Sequence, residues 1–529
     1  MDSQFVKIYD STLRDGSQGP GVNFSVADKL RLARSLDAFG VDYIEGGWPS
    51  SNPKDAEFFA HLRRQPLQYS RLVAFGSTCH PGLKPSDDAN LCALKESGTP
   101  VVTLVGKTWL LHVREILKIT PKKNLKLIAD SLDFLASPKR ELIFDAENFF
   151  DAYASDQDYA LNVLETAWRH GATTLVLCDT NGGTLPDEIF RVCGEVRKIL
   201  PPKISLGIHC HNDSDCAVAS SLLAVQAGCR QVQGCINGFG ERCGNANLCS
   251  IIPAIMLKLH RQCLRDGSQL AHLTELSRLV YELAVVREPK QQPYVGKMAF
   301  AHKGGMHVNG VAKNPATFEH IAPESVGNRR QFLLSELSGV TSIQEKAHEQ
   351  ALQLPEDEAR KILNELKQQE AAGYSYEAAD ASFKMLVQKH LGQHKPHFSL
   401  EGFRVIIEKR SFADACLSEA TIKVKVNGQT ELTAAEGEGP VNALDVALRK
   451  ALQKFFPKIS NMQLRDFKVR ILDGGQGTAA LTRVLVDSSD GRQSWGTVGM
   501  SENIIEASWQ ALLDSVEYFL QRETDQGQQ

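Results

Sequence analysis

Two histidines, His209 and His211, lie one residue apart in the run GIHCHND. Alternate residues of a β-strand share a face, so at a strand end both imidazoles can reach one ion. Alone, such a pair also fits core packing or a surface coincidence. Two oxygen donors elsewhere sharpen it: Asp15 in LRDG and Asn245 in GERCGN. Two nitrogens and two oxygens without a thiolate suit a divalent ion with open positions, Mn²⁺, Mg²⁺, Co²⁺ or Zn²⁺. Cys210, between the histidines, points the other way on a strand and is expected to pack. An open site of this kind would chelate a 2-oxo acid through its keto and carboxylate oxygens and polarise the carbonyl. Arg14, beside Asp15, is placed either to stabilise an alkoxide formed on attack or to pair with Asp10 or Glu45. Thr180 either binds a substrate carboxylate or caps a strand end. Glu147 either helps move a proton or sits in a salt bridge.

These residues are spread from Asp15 to Asn245, so a fold must gather them. From Val6 to about residue 260, short apolar runs alternate with longer helix-like segments such as ADKLRLARSLDAFG, which closes on a glycine stop. The strand-like runs are Val6–Asp10, Val41–Gly47, Arg71–Ser77, Pro100–Gly106, Glu141–Glu147, Thr173–Asp179, Ile204–His211 and Arg230–Gly238. Several are continuously apolar, as strands buried on both faces should be. Eight βα units predict an α/β fold, a closed (β/α)8 TIM barrel, over a doubly wound open sheet; no GxGxxG follows the first strand. Active sites of such barrels sit at the C-terminal ends of the strands, where all of these polar residues fall. No lysine ends the fifth or sixth run, which argues against Schiff-base aldolases and biotin-dependent carboxyltransferases.

The barrel is expected over 1–265, a mainly helical linker subdomain over 266–395, and an α+β C-terminal domain over 396–525. The segment QHKPHFSLEGF reads as a connecting linker. In the last part, Ile422–Val426 alternates and turns at Asn427-Gly428, a hairpin signal. Val484–Val486 begins a similar pattern, and each pattern leads into an amphipathic helix. One helix carries Leu444, Leu448, Ala451 and Phe455 on one face, the other Ile505, Trp509, Leu512, Val516 and Phe519. Two ββα-like halves, an appendage that a barrel enzyme does not need for its chemistry, suggest regulation or dimerisation.

Composition narrows the class. The 529 residues carry 59 Lys plus Arg against 63 Asp plus Glu, a net charge of −4, which excludes nucleic-acid binding by bulk charge. No run is long and apolar enough for a membrane helix, and the first residues lack the features of a secretory signal. The 12 Cys form no CxxC pair and read as mostly buried free thiols in a reducing, cytoplasmic setting.

LRDGSQ, GIHCHND and NGFGERCGNANL resemble the signatures of the alpha-isopropylmalate synthase and homocitrate synthase family of metal-dependent Claisen-condensing barrels. EGGWPSSNPKDAEFF, LCDTNGGTLP, AFAHKGGMHVNG and WGTVGMSENIIEASW are similar, more narrowly, to its citramalate synthase branch. The resemblance spans nearly the whole chain. It implies Asp15, His209, His211 and Asn245 as metal ligands, Arg14 polarising the keto oxygen, Glu147 in proton transfer and Thr180 on the substrate carboxylate. It also implies His302, in AHKGG, reaching the active site of a partner subunit in a homodimer. The implied reaction is an acyl transfer from acetyl-CoA to pyruvate, giving (R)-citramalate for isoleucine synthesis, with isoleucine as feedback effector. The alternatives are a larger 2-oxo acid, as in isopropylmalate or homocitrate synthesis, a carbon–carbon lyase of the same barrel, or an amino-acid sensor with a vestigial barrel. Three positions depart from the family pattern: Phe318 where Tyr is common, Asn148 where the citramalate type has His, and Pro20 where an acidic residue is expected.

Overall fold

The computed structural model describes residues 5–412, 415–472 and 480–527. They fall into two compact units, Met1–Phe300 with Ile321–Arg329, and Ala301–His320 with Arg330–Gln529.

In the first unit, β1 (Lys7–Asp10), β2 (Tyr43–Gly47), β3 (Arg71–Ser77), β4 (Val101–Lys107), β5 (Glu141–Glu147), β6 (Ala172–Asp179), β7 (Ser205–Cys210) and β8 (Gln231–Gly234) form a closed barrel. All neighbouring pairs are parallel, and β8 closes onto β1 with Tyr9 opposite Gln233 and Asp10 opposite Gly234. That pairing excludes the open sheet. Alternation divides each strand between two cores. Tyr9, Tyr43, Val73, Val101, Ile143, Val176 and Cys178 fill the lumen. Ile8, Ile44, Ala74, Val102, Phe144, Leu175 and Ile208 pack outward in the core that includes the surrounding helices. The helix Val26–Phe39 starts in a capping box between Ser25 and Asp28 and stops at Gly40, whose φ of 91° favours glycine.

Two strands end earlier than the apolar runs suggest. β8 stops at Gly234 because the following loop folds back on it. The Cys235 amide donates to the Ala246 carbonyl at 3.1 Å and the Leu248 amide to the Cys235 carbonyl at 3.0 Å. β7 ends at Cys210, and His211 continues only as an isolated bridge to Asn245.

The second unit opens with a short parallel pair, β9 (Ala301–His302) and β10 (Gln331–Phe332), and the helix Gly305–Lys313. Helices Val340–Glu349, Glu356–Ala371 and Asp380–His390 follow, packed through Ile343, Ile362, Leu366, Phe383 and Val387. Then come two three-stranded antiparallel sheets. The first is β11 (Ser399–Glu408), β12 (Leu417–Val426) and β13 (Gln429–Gly437). The second is β14 (Gln463–Ile471), β15 (Thr482–Ser489) and β16 (Ser494–Ser501). Each sheet is followed by a helix, Pro440–Gln453 and Ile504–Gly527. The halves are therefore βββα, not ββα, and the presumed linker QHKPHFSLEGF contains the start of β11. β11 and β14 are edge strands, each broken by a bulge and only partly buried on one face, through Leu400, Phe403 and Val405 and through Leu464 and Phe467, and so lack the regular alternation that marks β12. The Asn427-Gly428 turn is as expected, with φ of 49° and 83°, joining β12 to β13.

Candidate active site

Strand ends deliver the side chains. β1 runs into Asp10 to Asp15, β7 into His209 and His211, and β8 into the loop that carries Asn245. Because the barrel closes β7–β8–β1, these three ends are neighbours. One ligand atom from each of Asp15, His209 and His211 lies within 4.8 Å of the others, and all three residues are buried. The two imidazole centroids are 5.2 Å apart. Cys210 turns away into the outer core, as the strand period requires.

The local charge pattern favours an ion. Burial pushes the Asp15 carboxyl up, but the Arg14 guanidinium and the two imidazoles outweigh it and hold it at about 2. Burial, then His209, pushes His211 down to about 4, so its ring is neutral and has a lone pair to give. Asp15 Oδ1, His211 Nδ1 and Asn245 Oδ1 are buried without hydrogen-bond partners. Each such atom costs about 1–3 kcal/mol if it stays unpaired. An imidazole, a carboxylate and an amide oxygen, all unpartnered beside the His209 ring, are the donor set a divalent cation satisfies. The residues present fit the ion.

Two glycines make room for this. A Cβ at Gly240, φ 152°, would lie 2.2 Å from Asn245 Nδ2, and one at Gly244, φ 89°, would lie 2.0 Å from the Gly238 carbonyl oxygen. The Asn245 amide nitrogen donates to the Phe239 carbonyl at 3.0 Å, which aims its Oδ1 the other way. Arg242 ties the loop down, with both Asp213 carboxylate oxygens at 2.7 and 2.9 Å and the Thr180 carbonyl at 2.8 Å.

Arg14 is pinned on three sides. Its Nε donates to Glu45 at 2.8 Å, its Nη1 to Asp15 at 3.1 Å, and its guanidinium lies 3.8 Å from the Phe75 ring centroid. Burial works against its charge, but Glu45 and Asp15 keep it protonated. Glu45 also accepts from the Tyr9 hydroxyl at 2.6 Å and from Ser11. The Glu45 pairing left open from the sequence is thus present, and it serves to aim Arg14. Glu147 pairs with Lys107 at 2.6 Å. The Thr180 hydroxyl accepts from the Asn148 amide at 2.9 Å, and Asn148 itself is left-handed, φ 52°.

A cavity of about 540 Å³ opens at this end of the barrel. Arg14, Asp15, Glu147, Thr180, His209 and His211 line it, with Trp48, Phe75, Val105, Leu117 and Cys178 as its apolar part. His302 is in the second unit, buried, with Nε2 3.1 Å from Glu319. Burial raises the Glu319 pKa, but Arg330, at 2.6 Å, and His302 bring it below the usual range. Phe318 stacks on His307 with centroids 4.2 Å apart. Sequence reasoning did not single out Gln233 or Lys107, and gave Asp145, at the end of the fifth strand, no role. Gln231 and Gln233 alternate inside an otherwise apolar barrel strand, and that was the one available signal.

The HMGL-like family model matches residues 5–280, the homocitrate synthase post-HMGL domain-like model residues 294–373, and the LeuA allosteric (dimerisation) domain residues 377–520. The chain is 53% identical over 519 residues to the (R)-citramalate synthase of Geobacter sulfurreducens, covering 98% of each chain. The chain belongs to the (R)-citramalate synthase family. It is 49% identical to the (R)-citramalate synthase of Aquifex aeolicus, covering 99% of each chain. Against the 2-isopropylmalate synthase of Pyrococcus furiosus identity is 31%, covering 97% of this chain and 98% of that one. These similarities run over nearly the whole chain, the barrel and the domains that follow it alike. No helix among the described residues is long and apolar enough to cross a membrane.

Proposed function

We propose that this chain is an acyltransferase that condenses acetyl-CoA with pyruvate, releasing (R)-citramalate and CoA. The observation that carries the chemistry is the convergence of Asp15, His209 and His211 beside Arg14 in one cavity. The similarity to curated citramalate synthases supports pyruvate over larger 2-oxo acids. Asp15, His209, His211 and Asn245 hold one divalent ion, Mn²⁺, Mg²⁺, Co²⁺ or Zn²⁺. Bound there, the ion supplies Lewis acidity to the 2-oxo carbonyl.

The chain's own groups do the rest. Arg14, held rigid by Glu45 and Phe75, presents positive charge to the oxygen on which an alkoxide develops. The Thr180 hydroxyl accepts from Asn148, which leaves its hydrogen for the pyruvate carboxylate. Glu147, oriented by Lys107, takes part in removing the methyl proton of the acetyl group. His302, oriented by Glu319, exchanges a proton at a partner subunit's site in a homodimer. Water then cleaves the thioester. Isoleucine acts as feedback effector on the C-terminal domain, and the enzyme works in the cytoplasm.

Release of CoA from acetyl-CoA with pyruvate, 2-oxobutyrate, 2-oxoisovalerate or 2-oxoglutarate tests this. Pyruvate should exceed 2-oxoisovalerate in kcat/KM by about tenfold or more, the scale on which a pocket discriminates by methylene groups. Chelation should abolish turnover and divalent metal restore it. A preference for 2-oxoisovalerate would move the enzyme to isopropylmalate synthesis. Full activity of His209→Ala in metal-free buffer would remove the ion from the reading.

A further inference from the structure

A side chain deep in the barrel contacts the His209 ring on the side away from the ion site. His209 Nδ1 is 2.9 Å from Gln233 Oε1, and Gln233 Nε2 donates to Asp145 Oδ1 at 3.0 Å. Gln233 is fully buried, and Asp145 and His209 nearly so. The three come from β8, β5 and β7, across the lumen. An amide has one accepting and one donating end. With its donating end spent on Asp145, Gln233 offers His209 only a carbonyl oxygen. In a neutral imidazole, an acceptor at Nδ1 places the single ring proton there and leaves Nε2 bare. Nε2 is the atom that faces Asp15, 3.6 Å from its Oδ2. Burial, and next the Glu45 charge, push the Asp145 carboxyl up to about 8. Protonated or not, it keeps an oxygen that accepts from the amide.

We infer that Gln233, oriented by Asp145, is a positioning residue that sets the tautomer of His209 and so presents Nε2 to the ion. This rests on the ion site proposed above. It assigns a purpose to a hydrogen-bonded polar pair buried across the barrel lumen. Removing such an outer partner of a ligating histidine typically weakens metal binding about 10- to 100-fold.

Three variants and one spectrum test it. Mn²⁺ is titrated calorimetrically into the metal-free full-length chain. Gln233→Leu fills similar volume without an acceptor and should bind Mn²⁺ about 10- to 100-fold more weakly than the unaltered chain. Gln233→Glu restores an acceptor to Nδ1 and should bind within a few fold of it. Asp145→Asn can still accept from Gln233 and should also stay close. Equal weakening in the Leu and Glu variants, or none in a folded Leu variant, would overturn the assignment. Solid-state ¹⁵N spectra of the histidine-labelled, metal-free protein, with His209 assigned by difference from His209→Gln, decide the matter even if the Leu variant does not fold. A protonated Nδ1 with a bare Nε2 is expected, and the opposite tautomer would overturn it. If the unaltered chain binds no Mn²⁺ the ion site itself fails, while the spectrum still decides what Gln233 does to the ring.

Discussion

Arg14 shows how much of a catalytic group's behaviour lies in its neighbours. A lysine there would keep the charge, but not the paired bonds to Glu45 and Asp15 or the guanidinium contact over the Phe75 ring. Arg14→Lys should lower kcat by about 100-fold or more, the usual scale for losing an oxyanion donor. Its Mn²⁺ affinity should stay within a few fold, because the proposed ligands are untouched. Steady-state kinetics beside calorimetry would check this, and an unchanged kcat would take Arg14 out of the charge-stabilising role. Asp15, His209, His211, Asn245, Arg14, Thr180 and Glu147 could all be picked out from the sequence, since residue type and a strand period place them at one rim. Their partners could not. Lys107 meets Glu147, and Gln233 meets His209, through the register of neighbouring strands, which no local pattern encodes.

At the scale of elements, the loop from Cys235 to Asn247 carries the clearest division between folding and function. Its two crowded glycines face different obstacles. A methyl group at Gly240 meets the end of the Asn245 side chain, which can swing away, whereas one at Gly244 meets the Gly238 backbone oxygen, which cannot. Gly240→Ala should therefore fold, with a loss of about 1–3 kcal/mol for its strained backbone, and bind divalent metal more weakly because Asn245 is displaced. Gly244→Ala should lose more stability than that. Thermal melts with Mn²⁺ calorimetry would separate them, and a Gly240→Ala chain with intact metal affinity would count against Asn245 as a ligand. Elements buried on one or both faces were legible in the sequence: the barrel strands, β12, and the helices bearing Leu444 and Trp509. The edge strands β11 and β14 were not. β11 and β14 expose Ile406, Ile407, Val469 and Ile471, so neither an alternating nor a continuous apolar pattern marks them.

For the whole molecule, the question is what the second unit adds, beyond His302, to a barrel that contains the rest of the proposed chemistry. Its C-terminal part matches the LeuA allosteric (dimerisation) domain, and its two βββα halves bury Phe398, Leu444, Trp495 and Trp509 in a shared core. The helix Asp380–His390 belongs to the same body: the Ser382 hydroxyl donates to Asp514 at 2.7 Å and accepts from the Val498 amide at 3.1 Å. Cutting the chain near residue 395 would strip that helix of its partners, so a truncated protein would mix lost regulation with lost stability. The intact chain gives the cleaner experiment. An effector can shift the enzyme only by binding its active and inactive states differently, and couplings of about 1–3 kcal/mol correspond to about 5- to 150-fold in affinity. Isoleucine should therefore bind the full-length chain by calorimetry and lower its turnover, and saturating pyruvate, without acetyl-CoA, should weaken isoleucine binding by the same factor by which isoleucine weakens pyruvate binding. Leucine giving both effects while isoleucine gives neither would reassign the pathway to leucine, and no binding by either would leave the C-terminal domain a dimerisation module.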